Sequence, residues 1–125
     1  MRVLLAEDDA ANRDILRRLL GRLGAEVEAA ADGEDALALF RAGPAFDLAF
    51  IDLGMPGMDG FATARAMRGV EAAEGRRRIP IVALSGAEED ESVAQAGFDG
   101  MVQKPVGVAG LKAALERWGG ARPQR

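Results

Sequence analysis

The sequence predicts an α/β fold, a doubly wound five-stranded parallel sheet with helices on both faces. Short runs rich in Val, Ile, Leu and Phe alternate with longer segments whose apolar residues recur at helical period. Such alternation demands parallel βαβ units with right-handed crossovers. Four of the five predicted strands also run into acidic, hydroxyl or basic residues at their carboxyl ends, where open α/β sheets hold their ligands.

Val3-Leu4-Leu5-Ala6 is the first strand and leads into Glu7-Asp8-Asp9. Ile15, Leu16, Leu19, Leu20 and Leu23 form the apolar stripe of the first helix, and Val27 with its neighbours is the second strand. Asp32-Gly33-Glu34-Asp35 has the pattern of an N-cap with a short-range acid, opening a helix that carries Ala36, Leu37 and Phe40. Gly43-Pro44 separates it from the third strand, Leu48-Ala49-Phe50-Ile51, which ends at Asp52. Phe61, Ala64 and Met67 mark the third helix, and Gly75 the break before Ile79-Pro80-Ile81-Val82-Ala83-Leu84, the fourth strand, which ends at Ser85. The fourth helix has the weakest pattern, Val93 and Ala94 in an acidic context, with Gly97 after it. Met101-Val102 is the fifth strand and leads to Lys104-Pro105. Val108, Leu111, Leu115 and Trp118 give the last helix, which Gly119-Gly120 should end.

A chain of 125 residues suits one domain, read as residues 1–120 with a tail over 121–125. Apolar residues make up 49% and charged residues 29%, a globular balance, and no apolar run approaches the ~18 residues of a membrane span. The apolar stretch after Met1-Arg2 is too short for a signal-peptide core. A cytoplasmic domain without membrane contact is the expectation. The absence of cysteine and histidine excludes disulfides, thiolate chemistry, Ser-His-Asp arrangements, histidine-bound zinc and a phosphohistidine on this chain. A net charge of −4 gives no electrostatic reason for direct nucleic-acid contact. The one basic cluster, Arg76-Arg77-Arg78, is read as a solvated loop.

Three carboxylates held together repel one another unless some are protonated or a cation neutralises them. Oxygen ligands without His or Cys suit Mg²⁺ or Mn²⁺. Lys104 and the Ser85 hydroxyl are then available to bind the oxygens of a transferring phosphoryl group, a reaction governed by positioning and charge neutralisation, with Asp52 left as the nucleophile. Each feature has a plain alternative: acids after a strand cap helices, Asp52 and Ser85 satisfy backbone groups, and Lys104 is an exposed lysine. Their joint occurrence at one sheet edge favours the site.

With these motifs the sequence resembles the receiver domains of two-component response regulators and hybrid sensor histidine kinases. The likeness runs from Val3-Leu4-Leu5-Ala6-Glu7-Asp8 through Asn12-Arg13, Asp47 to Asp52, Met55-Pro56-Gly57-Met58-Asp59-Gly60, Ala83-Leu84-Ser85 and Gly97-Phe98-Asp99-Gly100 to Lys104-Pro105. Glu7-Asp8 with Asn12-Arg13 looks most like the receivers of hybrid kinases, which favours a receiver from a longer protein over a stand-alone regulator. The resemblance implies a flavodoxin-like sheet of order 2-1-3-4-5. It implies that Asp52 accepts a phosphoryl group from a phosphohistidine on a sensor histidine kinase or histidine phosphotransfer protein, with Mg²⁺ required. It further implies direct metal ligation by Asp8 and Asp52, action of Glu7 mostly through water, and a backbone carbonyl ligand from Gly54. Ser85 would bind a phosphoryl oxygen, and Lys104 would pair with the phosphoryl group or, before it arrives, with Asp52.

Receivers usually carry Tyr or Phe three residues before the lysine; this chain has Met101, whose flexible thioether cannot present the same rigid two-position signal. The stretch from Ser85 to Gly97 is shorter than usual and contains Glu88-Glu89-Asp90-Glu91, read as a solvated helix start. The Leu and Val stripes are read as core, with Val108, Leu111 and Trp118 leaving open a homodimer or kinase contact. Two other functions compete. A phosphohydrolase of the haloacid-dehalogenase type needs a second Asp two positions after the nucleophile, where this chain has Gly54. A binding module that works without phosphate would fit Met101 and the altered fourth helix.

Overall fold

Strands covered by helices on both sides must be apolar on both faces. The centre of the observed sheet meets that requirement: β1 (Arg2–Ala6), β3 (Leu48–Asp52) and β4 (Ile81–Ser85) are buried along almost their whole lengths. The edges are β2 (Glu26–Ala30), where Glu26 and Glu28 face solvent, and β5 (Gly100–Gln103). All pairings are parallel, in the order β2-β1-β3-β4-β5. The computed structural model describes residues 1–43, 45–86 and 91–119.

Side chains alternate across the pleat and sort into two apolar layers. Val3, Leu5, Leu48, Phe50, Val82 and Leu84 meet Leu16 and Leu20 of α1 (Ala10–Arg22) and Leu111 of α5 (Val108–Ala114). Leu4, Ala6, Ala49, Ile51, Ile81 and Ala83 point the other way. They meet Phe40 of α2 (Gly33–Ala42), Met67 of α3 (Gly60–Glu74) and Val93 of α4 (Glu91–Gln95). The predicted fold class, strand order and element sequence are therefore those observed.

Caps behave as their chemistry requires. Asp9, Asp32 and Asp59 each accept a hydrogen bond from the backbone N–H three residues on, at 2.8 to 2.9 Å. Gly75 ends α3 in the left-handed conformation at φ 65°.

Some boundaries move. β4 begins at Ile81, because Pro80 has no N–H for a ladder and the Ile79 N–H bonds instead to the Glu71 carboxylate at 2.9 Å. The last helix changes after Ala114 into a π-helical turn, Leu115–Gly119. Glu88 to Asp90 of the acidic run, Pro44, Gly120 and the tail lie outside the described residues.

Arg77 and Arg78 are exposed, as read from the sequence, but Arg76 is half-buried. Arg76 donates to the Phe40 and Arg41 carbonyls at 2.7 and 2.9 Å and covers the Phe40 ring at 5.4 Å, tying the end of α2 to the end of α3. Arg78 pairs with Asp99 at 2.5 Å. The sequence reading missed Arg76 because burial of its stem depends on carbonyls supplied by a distant element.

Candidate functional site

Parallel strands of similar length and matched register end together, which brings residues far apart in the chain to one edge. Ala6 pairs with Ile51, Asp52 with Leu84, and Ser85 with Gln103. Glu7 therefore follows β1 beside Asp52 at the end of β3, while Ser85 closes β4 and Lys104 follows β5. Glu7, Asp52 and Ser85 are buried; Asp8 is exposed and Lys104 half-buried.

One carboxylate oxygen from each of Glu7, Asp8 and Asp52 lies within 4.8 Å of the others. Lys104 Nζ donates to Asp52 Oδ1 at 3.0 Å and stands 3.8 Å from Glu7 Oε1. Gly54 N–H donates to the same Asp52 oxygen at 3.2 Å, so the loop after β3 turns back over the carboxylate. The Lys104 N–H donates to the Ser85 carbonyl at 2.7 Å, which fixes the chain leaving β5 against the end of β4.

Burial pushes the Glu7 carboxyl up to about 7; the Asp9 N–H and Lys104 oppose the rise, and the Asp52 charge adds to it. Asp52 goes the other way. Its burial favours protonation, but the Lys104 ammonium and the Gly54 N–H outweigh that and hold it below the usual carboxylate range. Burial likewise works against the charge on Lys104, and the bond to Asp52 with the charges of Asp52, Glu7 and Asp8 raises it above its ordinary value.

Glu7 Oε1 is buried without a hydrogen-bond partner, a costly arrangement for a carboxylate. Three clustered carboxylates, one with a buried oxygen that has no hydrogen-bond partner, fit a small hard cation with oxygen ligands. One lysine beside them offsets only part of the negative charge.

The structure separates the acids that the sequence runs together. Asp9, adjacent to Asp8, caps α1 through the Asn12 N–H, so the plain reading holds for that residue. Arg13 has a part the sequence did not disclose: its guanidinium donates to the Glu7 carbonyl at 3.0 Å and the Asp8 carbonyl at 3.5 Å, bracing the acidic turn. Asp99 lies at the opposite pole, bonded to Arg68, Arg78 and the Ile81 N–H. Met101 is half-buried on β5, opposite Ala83, and packs against the α2–α4 layer. Leu111 is core and Trp118 packs beside it, whereas Val108 is half exposed. A groove of about 440 Å³ runs from Glu7 and Lys104 past Asn12 and Pro105, with Ile15 of α1 along it.

A family model described as the response regulator receiver domain matches residues 3–116. Hybrid signal transduction histidine kinase A of Dictyostelium discoideum is 34% identical over 122 residues, which are 95% of this chain and 6% of that protein. The receiver domain of sensor histidine kinase PA1611 from Pseudomonas aeruginosa, solved with a magnesium ion in its active site cleft, superposes with a TM-score of 0.82 at 31% identity, covering 96% of this chain and 98% of the other. The complex of the histidine phosphotransfer protein Ypd1 with the receiver domain of Ssk1 from Saccharomyces cerevisiae gives 0.88 at 26% identity, covering 95% and 88%. The chain thus spans only a small part of this long hybrid kinase.

Proposed function

The chain belongs to the response regulator receiver domain family of two-component phosphorelays, and from that premise we propose that Asp52 accepts a phosphoryl group from a phosphohistidine on a sensor histidine kinase or histidine phosphotransfer protein. The observation that carries the reading is the Asp52 carboxylate, kept ionised by Lys104 at 3.0 Å while it shares a pocket with two further acids. An ionised carboxylate oxygen is a competent nucleophile. As its bond to phosphorus forms, the bond from histidine nitrogen to phosphorus breaks, and the freed imidazole takes up a proton.

Asp8, Asp52 and the Gly54 carbonyl would hold Mg²⁺, with Glu7 acting through water; Mn²⁺ suits the same oxygen set. Bound there, the cation neutralises the charge that builds on the phosphoryl oxygens. Lys104 is placed to exchange its bond to Asp52 for one to the phosphoryl group, and the Ser85 hydroxyl takes another phosphoryl oxygen. Gly54 stands two positions after Asp52 and offers no acid or base to activate water, so the aspartyl phosphate is lost slowly and the domain is a phosphoacceptor rather than a turnover enzyme.

Residues 1–120 act as one receiver unit, with 121–125 a tail, in a cytoplasmic protein and without direct nucleic-acid contact. Among the described residues no helix is long and apolar enough to cross a membrane. The relatedness to a hybrid kinase favours a receiver within a longer signalling protein. The groove beside Lys104, flanked by the half-exposed Ile15, is where the phosphodonor partner meets the chain; a homodimer through half-exposed Val108 is the alternative use of an exposed apolar residue.

Incubation with acetyl phosphate and Mg²⁺, followed by intact mass, is expected to add one phosphoryl group to the wild type and none to Asp52→Asn. Failure of the wild type to gain phosphate beside a competent control receiver would overturn the assignment. Ile15→Asp should keep labelling by acetyl phosphate while slowing transfer from a phosphorylated histidine phosphotransfer protein.

A further inference from the structure

Gly33 lies at the start of α2, outside every motif that marks the site, yet it is buried against the loop that leaves Asp52. A Cβ added there would sit 2.5 Å from the Met58 carbonyl oxygen, and nearer still to Thr63 Oγ1. Neither neighbour yields easily. Met58 contributes a backbone atom, and the Thr63 hydroxyl, wholly buried, donates to the Asp59 carbonyl at 2.8 Å.

The loop from Leu53 to Asp59 is pinned at several points. The Leu53 N–H bonds to the Leu84 carbonyl at 3.0 Å, the Met55 side chain is buried in the core, and Asp59 caps α3. Its far end folds back closely, for a Cβ on Gly60 would collide with the Asp52 carbonyl oxygen. With these points fixed, Met58 cannot retreat from a side chain at position 33 without moving the short chain between it and Gly54.

We propose that Gly33 is a positioning residue: its missing side chain lets the loop carrying Gly54 seat over Asp52 in the geometry that metal binding needs. The inference rests on the reading of the acidic pocket as an Mg²⁺ site and adds α2 to the elements that shape it. Groups that orient ligands without touching the metal typically alter affinity by about 10- to 100-fold.

Wild type, Gly33→Ala, Thr63→Val and Gly69→Ala are titrated with Mg²⁺ by calorimetry, and amide exchange over residues 53–59 is compared in the metal-free chains. Gly69 is a helical control, since a Cβ there meets nothing within 4 Å. Gly33→Ala should weaken Mg²⁺ binding about tenfold and speed exchange in the loop. Thr63→Val, which replaces the hydroxyl that bonds to Asp59 with a methyl against Gly33, should weaken binding in the same direction, and Gly69→Ala should change neither quantity. Unchanged affinity in a folded Gly33→Ala protein overturns the proposal; should that variant fail to fold, unchanged affinity in Thr63→Val does so. Absence of Mg²⁺ binding by the wild type would instead overturn the metal-site reading itself.

Discussion

Glu7 is the residue whose environment departs furthest from its sequence appearance. In the sequence it is one of three consecutive acids; in the fold it is 1% exposed and its carboxyl is pushed up to about 7 by burial first. A carboxyl whose folded value lies above its ordinary 4.5 favours the folded state at low pH, and that contribution disappears as pH rises through 7. Asp52 has the opposite sign: depressed below 3.8, it contributes stability above that pH and loses it only in stronger acid. With no histidine in the chain, the metal-free protein should gain stability on the order of 2 kcal/mol between pH 8 and pH 5. Thermal melting of wild type and Glu7→Gln checks this, and the Gln variant should lose most of that dependence. Asp9 shows the limit of a sequence reading at this scale. Adjacent acids carry no local mark of cap or pocket, and the turn into α1 decides that Asp9 caps the helix while Glu7 and Asp8 come within reach of Asp52.

At the scale of elements, the strands and long helices were legible because periodicity reports directly which face is buried. What holds one element against another was less so. Arg68 of α3 is the clearest case: it donates to Glu71 at 2.9 Å, to Asp99 at 2.8 Å, and to the Gly97 and Ile79 carbonyls at 3.0 and 2.8 Å. Glu71 in turn receives the Ile79 N–H, so one cluster joins α3, the entry to β4 and the turn before β5. Both members of the Arg68–Glu71 pair are largely buried. Arg68→Ala should therefore leave an uncompensated carboxylate and cost about 3–5 kcal/mol, seen as a lower denaturant midpoint at unchanged m-value. Arg17→Ala, which breaks an exposed pair on α1, should leave the midpoint almost unchanged. Arg76 was misread for the same reason: the carbonyls that receive it end α2, more than thirty residues earlier.

The whole molecule couples its fold to its site, because the site groups come from the ends or successors of four strands and exist together only when the sheet is complete. An ion that binds the folded chain alone stabilises it by about 2.7 kcal/mol at a concentration 100 times its dissociation constant. Melting temperature should therefore rise with added Mg²⁺ for the wild type, and much less for Asp8→Asn, whose exposed side chain contributes little to the metal-free fold. A flat response in the wild type would count against the metal assignment. By itself the sequence determined the α/β class, the parallel sheet and the carboxyl-edge position of Glu7, Asp8, Asp52, Ser85 and Lys104, because alternation and strand ends are local properties of a chain. Only the tertiary structure decided the rest: the inward, proton-binding environment of Glu7, the brace from Arg13, the Arg68 cluster and the close approach of Gly33 to the loop after Asp52. Those depend on distances between segments that no local pattern encodes, and burial sets their energies.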